Sequence, residues 1–212
     1  MIPEPVRQEL DRLNVSRESL AGLETYVATL EFWQRRINLI GPSTVGNIWL
    51  RHVLDGVQLL RHLPQKPVRL ADLGSGAGIP GLVLSLAAGH FADLYESNRK
   101  KAAFLDEVIR KTGCPVRTLN IRIETLANIP MSQPVDWVVS RALAPLPLLL
   151  EYTAPFLAQG AKALFHKGQD VDAELTEATK CWKITSHKHP SLTDSKAVIL
   201  EIEEAVRVRV PS

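Results

Sequence analysis

The chain has 212 residues, 45% hydrophobic and 23% charged, with a formal net charge of +2. This is ordinary globular usage, long enough for one domain with a full core and a small appendage. No apolar run approaches the ~20 residues needed to span a bilayer, and the opening MIPEPVRQELDRLN has no apolar signal core, so a cytoplasmic setting is expected. Cys114 and Cys181 are too few for a disulfide framework or a zinc cluster, and no histidines stand at metal-ligand spacing, so no metal is expected.

The first third reads as helical. Val6, Leu10 and Leu13 form a short apolar stripe, and Ser16 has the character of an N-cap, with Val15 and Leu20 at the spacing of a hydrophobic staple. Leu20, Leu23, Val27, Leu30, Trp33 and Ile37 recur at three- and four-residue steps, which predicts a long amphipathic helix. Gly41-Pro42 interrupts it. A further helix is expected to carry Val45, Ile48, Trp49, Val53, Leu59 and Leu60, closing at Leu63-Pro64; Trp33 and Trp49 on these stripes read as core.

From Val68 short apolar strands alternate with helices. Strands are expected at 68–73, 91–96, 116–119, 137–140, 161–166, 183–187 and 197–202, and helices at 80–88, 99–112, 146–157 and 171–181. Such alternation implies parallel strands with right-handed crossovers. The expected fold is therefore α/β: a seven-stranded, mostly parallel, doubly wound sheet with helices on both faces (67–212) and an N-terminal helical extension (1–66). The connection at 190–196 is short, so the last two strands should pair antiparallel at the sheet edge.

The most informative segment is Leu70-Ala-Asp-Leu-Gly-Ser-Gly-Ala-Gly-Ile-Pro-Gly81, where a strand ends and a helix begins. Doubly wound sheets bind nucleotides at this place. Gly74, Gly76 and Gly78 remove side chains that would keep a ligand from the backbone, and Pro80 suits a helix start. Ile79 occupies the last glycine position of the dinucleotide pattern. Asp72 before the first glycine suits an ammonium or sulfonium and disfavours a pyrophosphate. Glu96, 22 residues after Gly74, stands near the ~20-residue offset of a carboxylate that grips ribose hydroxyls. Together these imply a Rossmann-like class I methyltransferase using S-adenosylmethionine.

The segment after the fourth strand, Ser140-Arg-Ala-Leu-Ala-Pro145, lacks the Asn/Asp-Pro-Pro-aromatic loop of adenine amino-methylation. Neither cysteine lies in the Pro-Cys loop of cytosine C5 chemistry, and both read as packing residues. An acceptor needing no covalent activation remains. Guanine N7 fits, because its lone pair is free without loss of a proton, and Arg141 could donate to the neighbouring O6.

The blocks Trp33-Gln-Arg-Arg-Ile-Asn-Leu39, Arg51-His-Val-Leu-Asp55, 72–81, Ser140-Arg-Ala142 and His166-Lys-Gly-Gln169, in this order, carry a resemblance. The chain resembles the bacterial 16S ribosomal RNA guanine-N7 methyltransferases of the RsmG family, also called glucose-inhibited division protein B, from about Phe32 to Ile202. The resemblance implies methyl transfer to N7 of a guanosine in the 530 loop of 16S rRNA, with the rRNA or the small ribosomal subunit as partner. It implies that Gly74 and Ile79 line the cofactor site, that Ile123 and Glu124 flank the adenine, and that Arg141 stands beside the transferred methyl. Asn38, His52 and Lys167 fall on the RNA side. Two departures stand out: the family's Asn-Leu-Thr is Asn38-Leu-Ile40, and its glycine and small residue before the glutamate are Ile121 and Ile123.

His52 and Asp55, three apart on a helix, could touch. Arg99, Lys100, Lys101, Arg110 and Lys111 make one helix basic, as a solvated face or an RNA contact. A non-enzymatic RNA-binding or assembly protein and a small-molecule methyltransferase are the competing readings, and a monomer is the default for one compact domain.

Overall fold

The computed structural model describes residues 1–128 and 133–208. Strands β1 (Arg69–Leu73), β2 (Phe91–Tyr95), β3 (Val116–Leu119), β4 (Trp137–Arg141), β5 (Lys162–Lys167), β6 (Trp182–Pro190) and β7 (Val198–Arg207) form one sheet in the order β3-β2-β1-β4-β5-β7-β6. The first five pair in parallel. β7 runs antiparallel to both β5 and β6, so the final hairpin inserts its second strand and leaves β6 at the edge. The loop between β6 and β7 is too short for the crossover a parallel return requires. β1, β2 and β4 are covered on both faces, which is why they read as near-continuous apolar runs; on β6 burial alternates, as expected of an edge strand.

The crossover helices are α4 (Gly81–Ala88), α5 (Arg99–Thr112), α6 (Leu146–Leu157) and α7 (Val171–Ala178), and a 3-10 run, Ile123–Asn128, follows β3. Asn98 caps α5 by accepting from the N–H groups of Lys100 and Lys101, and Gly113 in the left-handed region (φ +66°) ends it.

The N-terminal helices α1 (Glu4–Arg12) and α2 (Arg17–Gln34) lie against one face of the sheet. Ser16 Oγ accepts from Ser19 N at 3.1 Å, and Val15 and Leu20 are both buried. Leu20, Leu23, Val27 and Leu30 enter the same apolar cluster as Leu70, Leu82, Leu94 and Phe104. Each such side chain contributes roughly 1.5–3 kcal/mol, so the extension is bound into the core of the sheet domain. A second cluster, with Val138, Leu150, Phe156, Phe165 and Leu200, fills the other face.

α7 ends at Ala178, short of the expected 181, and β6 and β7 run longer than expected. Two further elements depart more deeply from the sequence pattern. α2 stops at Gln34, short of Ile37, because the Gln34 amide turns back: Oε1 accepts from Leu39 N (2.9 Å) and Ile40 N (3.0 Å), and Nε2 donates to Ile40 O (2.9 Å). Ile40 is buried, while Asn38 is exposed. The expected regular helix around 45–60 is instead a chain of short turns: 3-10 at Pro42–Asn47, π at Trp49–Leu54, a single α turn, α3, at Asp55–Val57, and 3-10 at Gln58–Arg61. Ile48, Trp49, Val53 and Leu59 keep their core positions, but Val45 is exposed. Trp33 is half-buried, its indole N–H donating to Glu107 Oε2 at 2.9 Å.

Candidate active site

β1 ends at the glycine-rich turn, and the N–H groups of Gly74 and Ser75 donate to Tyr95 O at the end of β2 (3.0 and 3.1 Å). Gly74, Gly76 and Gly78 have φ of +73°, +55° and +82°, a region L side chains adopt only with strain. Their surroundings differ. A Cβ on Gly74 would lie 2.6 Å from Leu143, and one on Gly78 would lie 2.7 Å from Leu82, so both glycines make room for protein. A Cβ on Gly76 would meet nothing nearer than Gly74 O at 3.8 Å. Of the three, only Gly76 keeps the turn open to a ligand. From above, the buried Tyr26 of α2 donates its hydroxyl to Ala77 O at 2.9 Å. Tyr26 was missed in the sequence; its place on the α2 stripe beside Leu23, Val27 and Leu30 was the available signal.

The two carboxylates occupy different depths. Asp72 has no exposed surface; its Oδ2 accepts from Gly81 N at 3.0 Å, at the first turn of α4, and its Oδ1 has no partner among the described residues. Burial is the largest influence and pushes its carboxyl up to about 7, against the Gly81 N–H and Arg141, which favour the anion. This corrects the expectation of a direct contact: Asp72 holds the helix start from behind the turn. Glu96 is at the turn itself, with Oε2 accepting from Gly76 N (2.8 Å) and Oε1 from Asn98 N (2.7 Å). A carboxylate has about four lone-pair sites, so acceptor capacity remains for a diol. Ile79 is buried, and its Cγ2 would stand 3.3 Å from a Cβ on Gly56, so its side chain faces the core. Ile123 is half-buried, Glu124 is exposed and takes a hydrogen bond from Tyr152 of α6.

At the end of β4, Arg141 is gripped by the irregular run. Its Nη1 donates to Arg51 O and Asp55 Oδ2, both at 2.9 Å, and its Nη2 lies 2.9 Å from His52 Nδ1. Beside a guanidinium, Nδ1 must be the acceptor, so the proton sits on Nε2, which reaches Thr44 Oγ1 at 2.7 Å. Burial, then Arg141, lowers the His52 pKa to about 4. Asp55 is fixed in turn by Thr193 Oγ1 (2.5 Å) and Gln58 Nε2 (2.9 Å), and His166 Nε2 reaches its carbonyl at 2.7 Å. The π winding thus brings His52 and Asp55 to one guanidinium, a use typical of such turns. The sequence pairing of His52 with Asp55 is realised through Arg141, which bonds to both.

A cavity of about 560 Å³ opens beside Arg141, bordered by Arg51, Asp55, His166, Lys167, Glu174 and Asp194 among others. Lys167 is buried, and its Nζ donates to Ala144 O (3.0 Å) and Glu174 Oε2 (2.7 Å). This ammonium, expected on the RNA side, is spent on fixing the loop after Arg141. His52 is likewise buried and engaged, so of the three residues expected on the RNA side Asn38 alone is exposed.

The turn contains no lysine or arginine between Gly74 and Gly81, has two carboxylates close by, and sits on a sheet whose antiparallel seventh strand is inserted beside the fifth. That charge is wrong for a pyrophosphate and right for a sulfonium bearing a ribose, which the Glu96 acceptors and the open Gly76 also fit. The protein is of the Rossmann-like, S-adenosylmethionine-dependent methyltransferase class. Residues 19–202 match the family described as rRNA small subunit methyltransferase G (GidB), and the chain belongs to that family. It is 48% identical over 199 residues to the ribosomal RNA small subunit methyltransferase G of Methylorubrum populi, covering 92% of this chain and 93% of that one. The protein of that name from Paramagnetospirillum magneticum is 47% identical over 200 residues, covering 94% and 96%. Among solved structures, the ribosomal protein L11 methylase of Lactobacillus delbrueckii subsp. bulgaricus shares the fold, with a TM-score of 0.54 and 17% identity over 78% of this chain and 80% of that one.

Proposed function

We propose that the chain methylates N7 of a guanosine in the 530 loop of 16S ribosomal RNA, as a cytoplasmic monomer. The names of the relatives support the ribosomal substrate, and a ribosomal substrate brings the cytoplasm with it. The observation that carries the N7 assignment is a cavity with a fixed guanidinium and, among the described residues that line it, no exposed base without a partner; the bare Nδ1 of His166 is buried. Burial alone would raise the Asp55 carboxyl, but His166, Thr193 and Arg141 outweigh it and hold it below its ordinary range. Burial also keeps His166 below the ordinary histidine range, and Lys167 is paired with Glu174. An oxygen or amine acceptor would need a proton removed. N7 carries none and needs orientation.

When bound, S-adenosylmethionine supplies the electrophilic methyl of its sulfonium. In this reading Glu96 holds the ribose hydroxyls and Gly76 admits the ligand to the backbone. Gly74, Gly78, Ile79 and Asp72 keep the turn in shape, while Ile123 and Glu124 stand at the adenine end. Arg141 donates to guanine O6 with N–H groups its three partners leave free. Asn38 faces the RNA, and His52 and Lys167 act indirectly, through Arg141 and the loop behind it.

The test is labelled methyl transfer to 30S particles, free 16S rRNA and a panel of small molecules. Mild reduction and aniline treatment of the labelled RNA should follow, because N7-methylguanine is labile to it. Chain cleavage at a 530-loop guanosine is expected. Labelled RNA that resists cleavage would move the acceptor to another atom; binding without transfer would leave an assembly factor.

A further inference from the structure

The acceptor cavity is close to charge-balanced: Arg51, Arg141 and Lys167 stand against Asp55, Glu174 and Asp194. Phosphate attraction supplies much of the affinity of nucleic-acid complexes, so a protein of this class needs uncompensated cations elsewhere. They lie on the far side of the glycine turn. A groove of about 340 Å³ between the end of α2 and the start of α5 is lined by Arg36, Ile37, Asn38, Asn98, Lys100 and Lys101, with no carboxylate. Arg51, Lys111, Arg141 and Lys167 each sit on an acid, whereas Arg36, Lys100 and Lys101 have no ion pair among the described residues, nor have the flanking Arg35 and Arg99.

A second observation points the same way. Phe32 on the last turns of α2 is 48% exposed, and the Arg36 guanidinium lies 4.2 Å from its ring centre. An exposed phenyl–guanidinium stack beside a cationic groove is the pairing by which proteins hold unstacked bases along a phosphate backbone. The groove also adjoins the reaction site, since Asn98 N is bonded to Glu96. β2 and β4 stand two strands apart, about 10 Å at normal strand spacing, so one RNA strand can reach both the groove and Arg141.

We propose that this groove binds the single-stranded RNA flanking the methylated guanosine, with Lys100, Lys101 and Arg36 on phosphates and an unpaired base stacked at Phe32. The proposal rests on the rRNA reading above and adds to it the surface that holds the strand. Phe32, Arg36 and Lys100 are exposed and Lys101 is half-buried, so their substitution should leave the fold intact.

The test measures binding of the full chain to 30S particles by filter retention across a salt series, with cofactor affinity measured in parallel. The double variant Lys100→Ala/Lys101→Ala should lower the slope of log K against log salt by roughly 0.7–0.9 per lost phosphate contact. Phe32→Ala should weaken binding roughly 5- to 150-fold, the range of one base–aromatic stack. Phe32→Tyr should restore it and Phe32→Leu should not. S-adenosylmethionine affinity should be unchanged in all four. An unchanged slope and affinity in variants of a parent that does methylate the particle would overturn the groove and leave the function standing. Rescue by leucine would make the face an apolar protein contact and overturn the base stack. A parent that transfers no methyl to rRNA fails the functional reading itself, and the groove with it.

Discussion

The glycine turn and the Arg141 pocket lie at the carboxyl ends of the neighbouring strands β1 and β4 but are built differently. The turn is held by backbone: Gly74 and Ser75 on Tyr95 O, Gly76 on Glu96, Gly81 on Asp72. Most of these partners lie in β1, α4 and β2, consecutive in the chain. The pocket is held mostly by side chains, from residues 44, 52, 55, 141, 166 and 193, which only the complete fold assembles. A site for a ligand shared by many enzymes can be local and built of backbone. A site that must orient one particular base is spread over the whole domain, and its precision depends on every segment that feeds it.

The largest test of this contrast is at Arg141. Arg141→Ala should cut turnover about 10²-fold or more, the scale of lost orientation, with S-adenosylmethionine affinity changed by less than about tenfold (1.4 kcal/mol). Asp55→Ala should reproduce much of that loss with Arg141 intact, because Asp55 fixes the guanidinium. Single-turnover kinetics and calorimetric titration separate the two effects. Equal losses in turnover and cofactor affinity would merge the two regions into one.

Next comes a pair of glycines that look alike in the sequence. Gly78→Val drives a side chain into Leu82 and Leu105 at positive φ and should destabilise the fold by roughly 2–5 kcal/mol, overpacking plus backbone strain. Gly76→Val should cost only the strain, about 1–2 kcal/mol, yet abolish cofactor binding, because its side chain would fill the open space beside the turn that the ligand needs. Urea unfolding beside cofactor titration reads both. A Gly76→Val protein that binds normally would put the ligand elsewhere.

How far each region was legible follows from the same contrast. The strands, the crossover helices and the Gly74–Gly78 turn were readable because periodicity and motif are local; β3, α5 and α6 fall on their expected residues. The expectation for Asp72 rested on residue type and position and that for Lys167 on the resemblance, and neither could register burial: one side chain caps α4 from behind and the other is spent on Glu174. The π turn was hidden because its apolar spacing near Ile48, Trp49 and Val53 is also that of an ordinary helix. Nothing in residues 191–194 announces that Thr193 will hold Asp55, 138 positions away in sequence.

Glu96 offers a smaller effect with a sharper meaning. Glu96→Ala removes the ribose acceptor and also releases the N–H groups of Gly76 and Asn98. S-adenosylmethionine affinity should fall by about 1.5–3 kcal/mol, the worth of hydrogen bonds to a charged group. The Arg141 network should be untouched, so turnover at saturating cofactor should stay near that of the parent. A large fall in saturated turnover would mean that the turn and the pocket are coupled through β1 and β4.

The smallest effect probes the protonation state that the Arg141 pocket requires. Above pH 6.5 His52 is neutral whether the chain is folded or unfolded. As pH falls from 6.5 towards about 4, the unfolded chain takes up a proton that the folded chain refuses, because burial and then Arg141 disfavour the imidazolium. Stability from this group is therefore full above 6.5 and is lost across that window. His166, also lowered by burial, acts in the same direction, whereas Asp72, raised to about 7, favours the folded state as pH falls from about 7 towards its ordinary range. The stability curve of the parent mixes these with other shifted groups, among them His62 and His90, both lowered by burial, so the informative quantity is its difference from His52→Gln. That variant keeps a hydrogen-bonding side chain but has no proton to gain, so its stability deficit in urea should shrink steadily between pH 6.5 and 4. A deficit that stays constant over this range would mean that His52 titrates alike in the folded and unfolded chain, and that Arg141 is held by Asp55 and the Arg51 carbonyl without it.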